Sequence, residues 1–578
     1  MNTSDPVTVA LTGQLPFVIL LAAALALPVS RTLLWFYRRS VLKSMRATAD
    51  RFRRDAPVED RSLPPPAQTR AARVDLAMLE PGATTAVSAA AAALHTEALR
   101  APWRAAAVYI IAGLSYATVM SLAFLLATGS AILPVRFLFL VGTYAWPAVL
   151  TVNLVAASSR RATLTTGVLY LAALLGIGLF ALARSSTLGI GQLGTLWIIT
   201  NAPATVLLLA FLNRRVRAVG PLVLTFMVVA VLGANVTLSV AGSDEGRLRS
   251  IVEVSSALGL GAVGTFLALL VVGFVAFGLV GWVLLAWIRV RYQAKRLTDQ
   301  SIMLDAIWLL FGVTQSVGFV FEGAIWILSG LVAFGAYKLV VGVGFAALRR
   351  ERVSDKRGPR LLLLRVFSLG KRSERLFDAL ATHWRYVGSL QLIAGPDLAT
   401  STVEPHEFLD FVSGRLARRF IDAPEALDRR LAEMDLTPDH DGRFRVTDFF
   451  CHADSWKMVL SRLVRDSDAV LMDLRGFSAH NAGCVYEVSE LINVAPLRSV
   501  VFAIDETTDL PFLEQRLRDS ASVMRPDSPN FATPSVRAAL LRLSGSHVEV
   551  SDLLGILCSG ATSAAGSVAL TQQPVEKG

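Results

Sequence analysis

Three polar loops and one glutamate give this sequence its means of doing chemistry. The loops are "SLGKRS" (368–373), "CHADSW" (451–456) and "RGFSAHNAG" (475–483), each following an apolar run of strand length and feeding a helix-length segment. A helix N-terminus offers free N–H groups and the positive end of the helix dipole, so such loops suit a phosphorylated ligand. The candidate ligand-binding residues are Ser368, Gly370, Lys371 and Arg372 in the first loop, His452 and Asp454 in the second, and Phe477, Ser478 and Asn481 in the third. Asp454 has a second reading as the N-cap of the next helix. "GKRS" is not a P-loop, because Arg365 stands where that motif needs its first glycine. The third loop opens "CVYEVSEL", and its Glu487 is the candidate catalytic residue. A solvated role for it stays open, since Val485, Val488, Leu491 and Ile492 mark a buried face that leaves Glu487 and Glu490 outside. Tyr486 is either a packing residue or a platform for a base, Trp456 reads as core, and Cys484 as a small buried residue.

Such loops need a scaffold, and the spacing of apolar segments from Arg360 onward describes one. "RLLLLRVF", "SLQLIAG", "FRVTDFFC", "AVLMDL" and "SVVFAI" alternate with amphipathic stretches such as "ERLFDALATHWRYV" and "SWKMVLSRLVRD". That alternation predicts a doubly wound α/β domain over 360–560 with a mainly parallel sheet. "RLLLLRVF" and "AVLMDL" are apolar on both faces, so they are expected at its centre. The tail 561–578 is small and polar and is expected to be disordered.

The segment "SWKMVLSRLVRDSDAVLMDLRGFSAHNAGCVYEVSEL" resembles Toll/interleukin-1 receptor (TIR) domains from a helix through a buried strand to the glutamate-bearing helix. Cys484 and Glu487 keep a Cys-x-x-Glu spacing, and Tyr486–Glu487 is also similar to the Tyr-Glu of nucleoside deoxyribosyltransferase-like proteins. "LLRVFSLGKRSERLFDAL" is similar to the strand, loop and helix that begin a TIR domain, whereas 395–443 carries an extra unit. The resemblance implies a flavodoxin-like, TIR-like fold and cleavage of the N-glycosidic bond of NAD, as substrate rather than cofactor, or of a related nucleotide. As the base leaves, the ribose becomes oxocarbenium-like, and an adjacent carboxylate opposes that charge. At about 4 Å and an effective dielectric near 20, such a pair is worth roughly 4 kcal/mol, or about a thousandfold in rate. The role requires an ionised Glu487, which the helix N-terminus is expected to favour.

The rest of the chain belongs to another solvent. Of 578 residues, 53% are hydrophobic and 17% charged, with a mean hydropathy of +0.53. "VGTFLALLVVGFVAFGLVGWVLLAWI" (263–288) exceeds the roughly 20 apolar residues that cross a bilayer. Nine spans are expected, near 15–37, 105–127, 137–157, 164–183, 195–213, 219–241, 260–288, 304–320 and 324–348, with a cytoplasmic linker over 38–104. Arg160, Arg161, Arg214, Arg215, Arg289, Arg291, Arg349 and Arg350 fall on alternate loops, which puts the N-terminus outside and the α/β domain in the cytoplasm of a multi-pass cell-membrane protein. The eighth span is the weakest and has a re-entrant alternative. Glu322, Lys338, Asn201 and Asn235 are polar candidates inside the apolar region. The net charge of +11 fits basic loops of this kind and does not call for nucleic acid. Three cysteines show no paired spacing that suggests a disulfide framework or a zinc site.

The expected partners are therefore the lipid bilayer, a nucleotide and a second copy of the chain in a homo-oligomer. The leading expectation is a membrane protein whose TIR-like domain cleaves or binds NAD as a signalling or defence effector. The alternatives are a non-catalytic sensor whose domain binds a ligand or assembles, and a transporter or channel with a regulatory domain.

Overall fold

The computed structural model of the chain describes residues 6–47, 73–79, 88–156, 160–183, 189–211, 219–242, 244–317, 319, 322–351, 357–365, 371–394, 405–452, 455–532, 535–543 and 547–571. The chain divides into two compact units, each discontinuous in sequence. One comprises Met1–Tyr37, Ala105–Glu351 and Val403–Ser413; the other comprises Arg38–Arg104, Arg352–Thr402 and Gly414–Gly578.

The first unit is helical, and most of its helices are apolar. In chain order these are α1 (Pro6–Ala47), α2 (Ala89–Ala127), α3 (Pro134–Tyr144), α4 (Trp146–Val155), α5 (Arg160–Ala183), α6 (Ile190–Phe211), α7 (Gly220–Gly242), α8 (Glu245–Ala257), α9 (Ala262–Gln293), α10 (Asp299–Val317) and α11 (Ser329–Glu351). Helix is found in each of the nine stretches expected to span. Among the described residues, however, five helices are long and apolar enough to cross a membrane, or six if α3 and α4, bent by 41°, form one broken span. The eighth expected span is α10, which carries Asp299, Gln300, Asp305 and Gln315 and is not among those five. The outer faces of α5 and α9 expose Leu164, Val168, Leu175, Val271, Leu279 and Val283, an apolar surface suited to lipid.

Small residues let these helices approach closely, as is usual where hydrophobic association gives no drive. A Cβ at Gly273 of α9 would stand 2.8 Å from the Ala234 Cα of α7, and one at Gly330 of α11 would stand 2.1 Å from the Gly312 carbonyl oxygen of α10. A later short helix, α13 (Pro405–Val412), also belongs to this unit. Its Asp410 accepts a hydrogen bond from Arg289 at 2.6 Å, and Phe411 meets Tyr37 edge to face with ring centroids 5.3 Å apart.

The second unit is the α/β domain. Its strands are β1 (Arg73–Leu79), β2 (Arg360–Arg365), β3 (Ser389–Ala394), β4 (Phe420–Ile421), β5 (Val446–Cys451), β6 (Ala469–Asp473), β7 (Val500–Ile504) and β8 (Ser535–Arg542). They form one sheet in the order β1-β8-β7-β6-β2-β3-β5-β4, and every pairing is parallel. β2 and β6 lie at the centre, as their two-sided apolar sequences predict. Leu361 and Leu363 face one way, into a core with α12 (Lys371–Trp384) and α18 (His547–Thr571). Leu362 and Leu364 face the other, into a core with α15 (Trp456–Asp466), α16 (Ala482–Val494) and α17 (Leu510–Ser522).

Two expectations need correction here. The stretch 38–104 is more than a linker: Arg73–Leu79 pairs residue for residue with β8, and Leu94, Ala98 and Leu99 pack into the core that the sheet shares with α12 and α18. The alanine-rich stretch therefore serves the α/β domain, and the helix that contains it, Ala89–Ala127, is one of the five long and apolar enough to cross a membrane. The region 561–578 is not wholly a disordered tail, since α18 runs to Thr571; its Leu553, Leu554, Leu557, Cys558 and Ala561 make the stripe that docks on the sheet. The extra unit in 395–443 supplies β4, α13 and α14 (Pro424–Ala432).

Candidate functional site

After edge strand β1, the chain enters the middle of the sheet at β2, fills the side that holds β3, β5 and β4, then returns to β6 and winds the other way through β7 to β8. The carboxyl ends of β2 and β6 thus flank the point where the order reverses, the place where open α/β sheets leave a crevice for ligands. Each strand meeting there ends its apolar run in a charge: Arg365 on β2, Asp473 on β6 and Asp505 just after β7.

These charges are buried and knitted together. Arg475 Nε and Nη2 donate to Asp473 Oδ1 and Oδ2, each at 2.7 Å, and Ser373 Oγ donates to Oδ2 at 3.1 Å. Arg475 Nη2 reaches the Arg372 carbonyl at 3.2 Å, and the Arg372 guanidinium pairs with Asp505. The Thr507 N–H and hydroxyl donate to Asp505 Oδ1 at 2.9 and 2.6 Å. Burial raises the Asp505 carboxyl, but the Thr507 donors, with Arg372 and Arg475, outweigh it and hold the acid below its ordinary range. Burial likewise opposes the Arg475 charge, and Asp473 more than restores it.

Glu487 lies on the second turn of α16, beside this network. It is 3% exposed, and its Oε2 has no hydrogen-bond partner. Cys484, one turn earlier, sits 3.7 Å from the Arg365 carbonyl and also within hydrogen-bonding reach of Glu487. Desolvation pushes the Glu487 carboxyl up to about 8, with the Arg365 charge and the Cys484 thiol opposing. The expectation of an ionised glutamate is thereby overturned: burial outweighs the helix dipole, and the group is mostly protonated at neutral pH. The same burial, with Glu487 beside it, pushes the Cys484 thiol far up and leaves it inert as a nucleophile.

Comparison of the chain with protein-family models, with curated proteins and with solved structures returned no match. The site is legible only through its own geometry.

That geometry separates the predicted residues. Arg372 joins the network, but its charge is engaged by Asp505. Ser368, Gly370 and Asp454 lie outside the described residues, as does the side chain of Lys371. His452 stands at the end of β5, three strands from β6; its Nδ1 is 3.1 Å from the Ser44 carbonyl oxygen and its ring rests on Phe420. At roughly 4.8 Å per strand it is about 14 Å away, too far to share a ligand atom with Glu487. Phe477 is fully buried against Phe512 and is core. Asn481 Oδ1 accepts from the Ser478 N–H at 2.9 Å and its hydroxyl at 3.2 Å, so the two residues brace the turn ahead of α16. Tyr486 packs edge to face on Trp456, with Lys457 Nζ 4.7 Å above its ring.

Neither Glu487 nor Glu490 is a solvated acid. Glu490 accepts from Ser461 at 2.6 Å and from Arg525 at 3.2 and 3.3 Å, a structural pairing. The residues that sequence reasoning missed are Arg365, Asp473, Arg475 and Asp505. Their signal was present, because "LLLLR", "VLMDLR" and "VFAID" each close an apolar strand with charge.

The polar candidates of the helical unit are paired as well. Lys338 donates to Asp305 at 2.7 Å, while Asn201 donates to the carbonyls of Thr143 and Trp197 at 3.0 and 3.2 Å. Glu322 is exposed. No group of three or more acidic, histidine or cysteine side chains able to hold a metal occurs among the described residues.

Proposed function

We propose that the chain is a multi-pass protein of the cell membrane, its N-terminus outside, whose cytoplasmic TIR-like domain binds a nucleotide and cleaves its N-glycosidic bond, with NAD as substrate. The observation that supports this reading is the Glu487 carboxyl: buried beside the reversal point of the sheet, its Oε2 unpartnered and its proton held to about pH 8. A carboxyl in that condition has interaction capacity that the fold leaves unspent. A cationic nicotinamide ring arriving next to it lowers its pKa, so binding drives off the proton and produces the carboxylate that the oxocarbenium-like ribose needs. The half-exposed Arg372 guanidinium, anchored by the buried Asp505, supplies donors for the phosphates.

The test is turnover of NAD by the full-length protein in nanodiscs. Glu487→Gln keeps size and removes the charge, so the expected loss is about 10²–10³-fold in kcat/KM. Glu514→Gln, on the outer face of α17, is the control and retains activity. For the unmodified protein, kcat/KM rises with pH and levels off near 8, the pKa of the free enzyme. Equal turnover by Glu487→Gln and the unmodified protein would refute the catalytic assignment. Binding of NAD without turnover in any of them would leave a ligand-binding domain in its place.

A further inference from the structure

A second polar cluster lies at the centre of the helical unit. Tyr116 of α2 donates its hydroxyl to Gln315 Oε1 of α10 at 2.8 Å, and Gln315 Nε2 donates to Asn201 Oδ1 of α6 at 3.3 Å. Asn201 Nδ2 then donates to the Thr143 carbonyl of α3 at 3.0 Å. Tyr116, Thr143 and Asn201 are fully buried and Gln315 is 4% exposed. Asn201 stands at the middle of Ile190–Phe211, and Thr143 lies at the bend between Pro134–Tyr144 and Trp146–Val155, in the middle of that pair.

The sequence explains why the chain passes here. Pro147 has no N–H to give the Thr143 carbonyl four residues back, so the helix breaks at Ala145 and a side chain must serve that oxygen. The break also leaves the last turn of α3 with the partial negative charge of a helix C-terminus, aimed into the interior of the unit rather than at water. Polar atoms gathered at an interrupted helix, deep among apolar ones, are costly and mark ion or substrate sites.

We propose that Tyr116, Asn201, Gln315 and the Thr143 carbonyl form a binding site for a monovalent metal cation. The cluster offers four oxygens, all neutral: a phenol, two amides and a backbone carbonyl. Divalent cations call for carboxylates, and an anion calls for several free donors. Here the nearest carboxylate on α10, Asp305, is ten residues before Gln315, about 15 Å along the helix, and is already paired with Lys338. Neutral oxygens backed by a helix C-terminus suit a weakly hydrated single charge. The Gln315–Asn201 contact at 3.3 Å is the longest link, and it is where both amide oxygens turn to meet the ion.

The test is equilibrium binding of ²²Na⁺ and ⁸⁶Rb⁺ to the full-length protein in nanodiscs, at constant ionic strength held with choline. The expected result is saturable binding of at least one ion, weakened tenfold or more by Tyr116→Phe and by Gln315→Leu. Thr265→Val, whose hydroxyl only donates back to the Gly261 carbonyl of its own helix, should bind as the unmodified protein does. The phenylalanine variant keeps the ring against Trp308 and so keeps the packing, which leaves the test valid if Gln315→Leu does not fold. Absence of saturable binding of either ion overturns the proposal, as does unchanged affinity in Tyr116→Phe.

Discussion

Replacing Glu487 by glutamine should free the α/β domain from a pH-dependent loss of stability. In the folded protein the carboxyl holds its proton to about 8, whereas the unfolded chain releases it near the ordinary value of 4.5. Between those limits the folded state binds more protons than the unfolded state, so stability is greatest below the lower one and is lost as pH rises to the upper one. The slope is about 1.4 kcal/mol per pH unit, so roughly 4 kcal/mol disappears between pH 5 and pH 8. Glutamine is neutral throughout and nearly isosteric with the protonated acid. Glu487→Gln should therefore match the unmodified protein at pH 5 and exceed it by several kcal/mol at pH 8. Hydrogen exchange of the β6 and β7 amides in the full-length protein, corrected for intrinsic rates at each pH, reads this directly, because central strands open only with the whole domain. Other titrating groups act equally in both proteins and cancel in the difference. Parallel curves for the two proteins would show that Glu487 is charged, and the burial argument would fail.

Four further outcomes follow from particular contacts. Glu490→Ala leaves Arg525 and Ser461 without their acceptor and should cost about 1–3 kcal/mol in the same exchange assay. His383 Nδ1 lies 3.3 Å from the Ala98 carbonyl, which Pro102 deprives of a helical donor; since a carbonyl only accepts, that nitrogen carries the hydrogen. Burial, with His95 nearby, lowers the His383 pKa, so its contribution is present above pH 6.5 and fades as pH falls, and His383→Gln should flatten that acid limb. Lys338→Met or Asp305→Asn alone should lower the thermal midpoint, by roughly 3 kcal/mol in stability, while the double variant regains most of it. Gly330→Ala forces α10 and α11 apart, because its Cβ meets backbone and not a movable side chain, and a clear drop in thermal midpoint is expected.

The central strands were legible because their signal is local. "RLLLLRVF" and "AVLMDL" are apolar at every position, which only a strand covered on both faces tolerates. β1 was illegible for the opposite reason. "RVDLAML" has no strong alternation, and its partner β8 lies far away in sequence, so nothing nearby betrays the pairing. Glu487 was found from its place after a buried strand, but its ionisation was misjudged. Helix position sets a dipole of modest strength, whereas burial depends on what α16 packs against, and a helical wheel cannot supply that. His452 was grouped with Glu487 because both follow strands; the strand order, which puts β3 and β2 between β5 and β6, parts them.

The pairing of β1 with β8 also sets the order in which the chain can finish itself. Synthesis delivers Arg73–Leu79 early, yet Ser535–Arg542, the edge it completes, follows only after most of the membrane helices. At about 5–20 residues per second, the roughly 450 intervening residues take between about half a minute and a minute and a half. Throughout that time the strand has no partner edge to pair with. A fragment starting near Arg360 escapes the wait but emerges with β8 uncovered, a ready template for other chains. Such a fragment should aggregate where the whole protein does not, and supplying residues 38–104 in trans should relieve it.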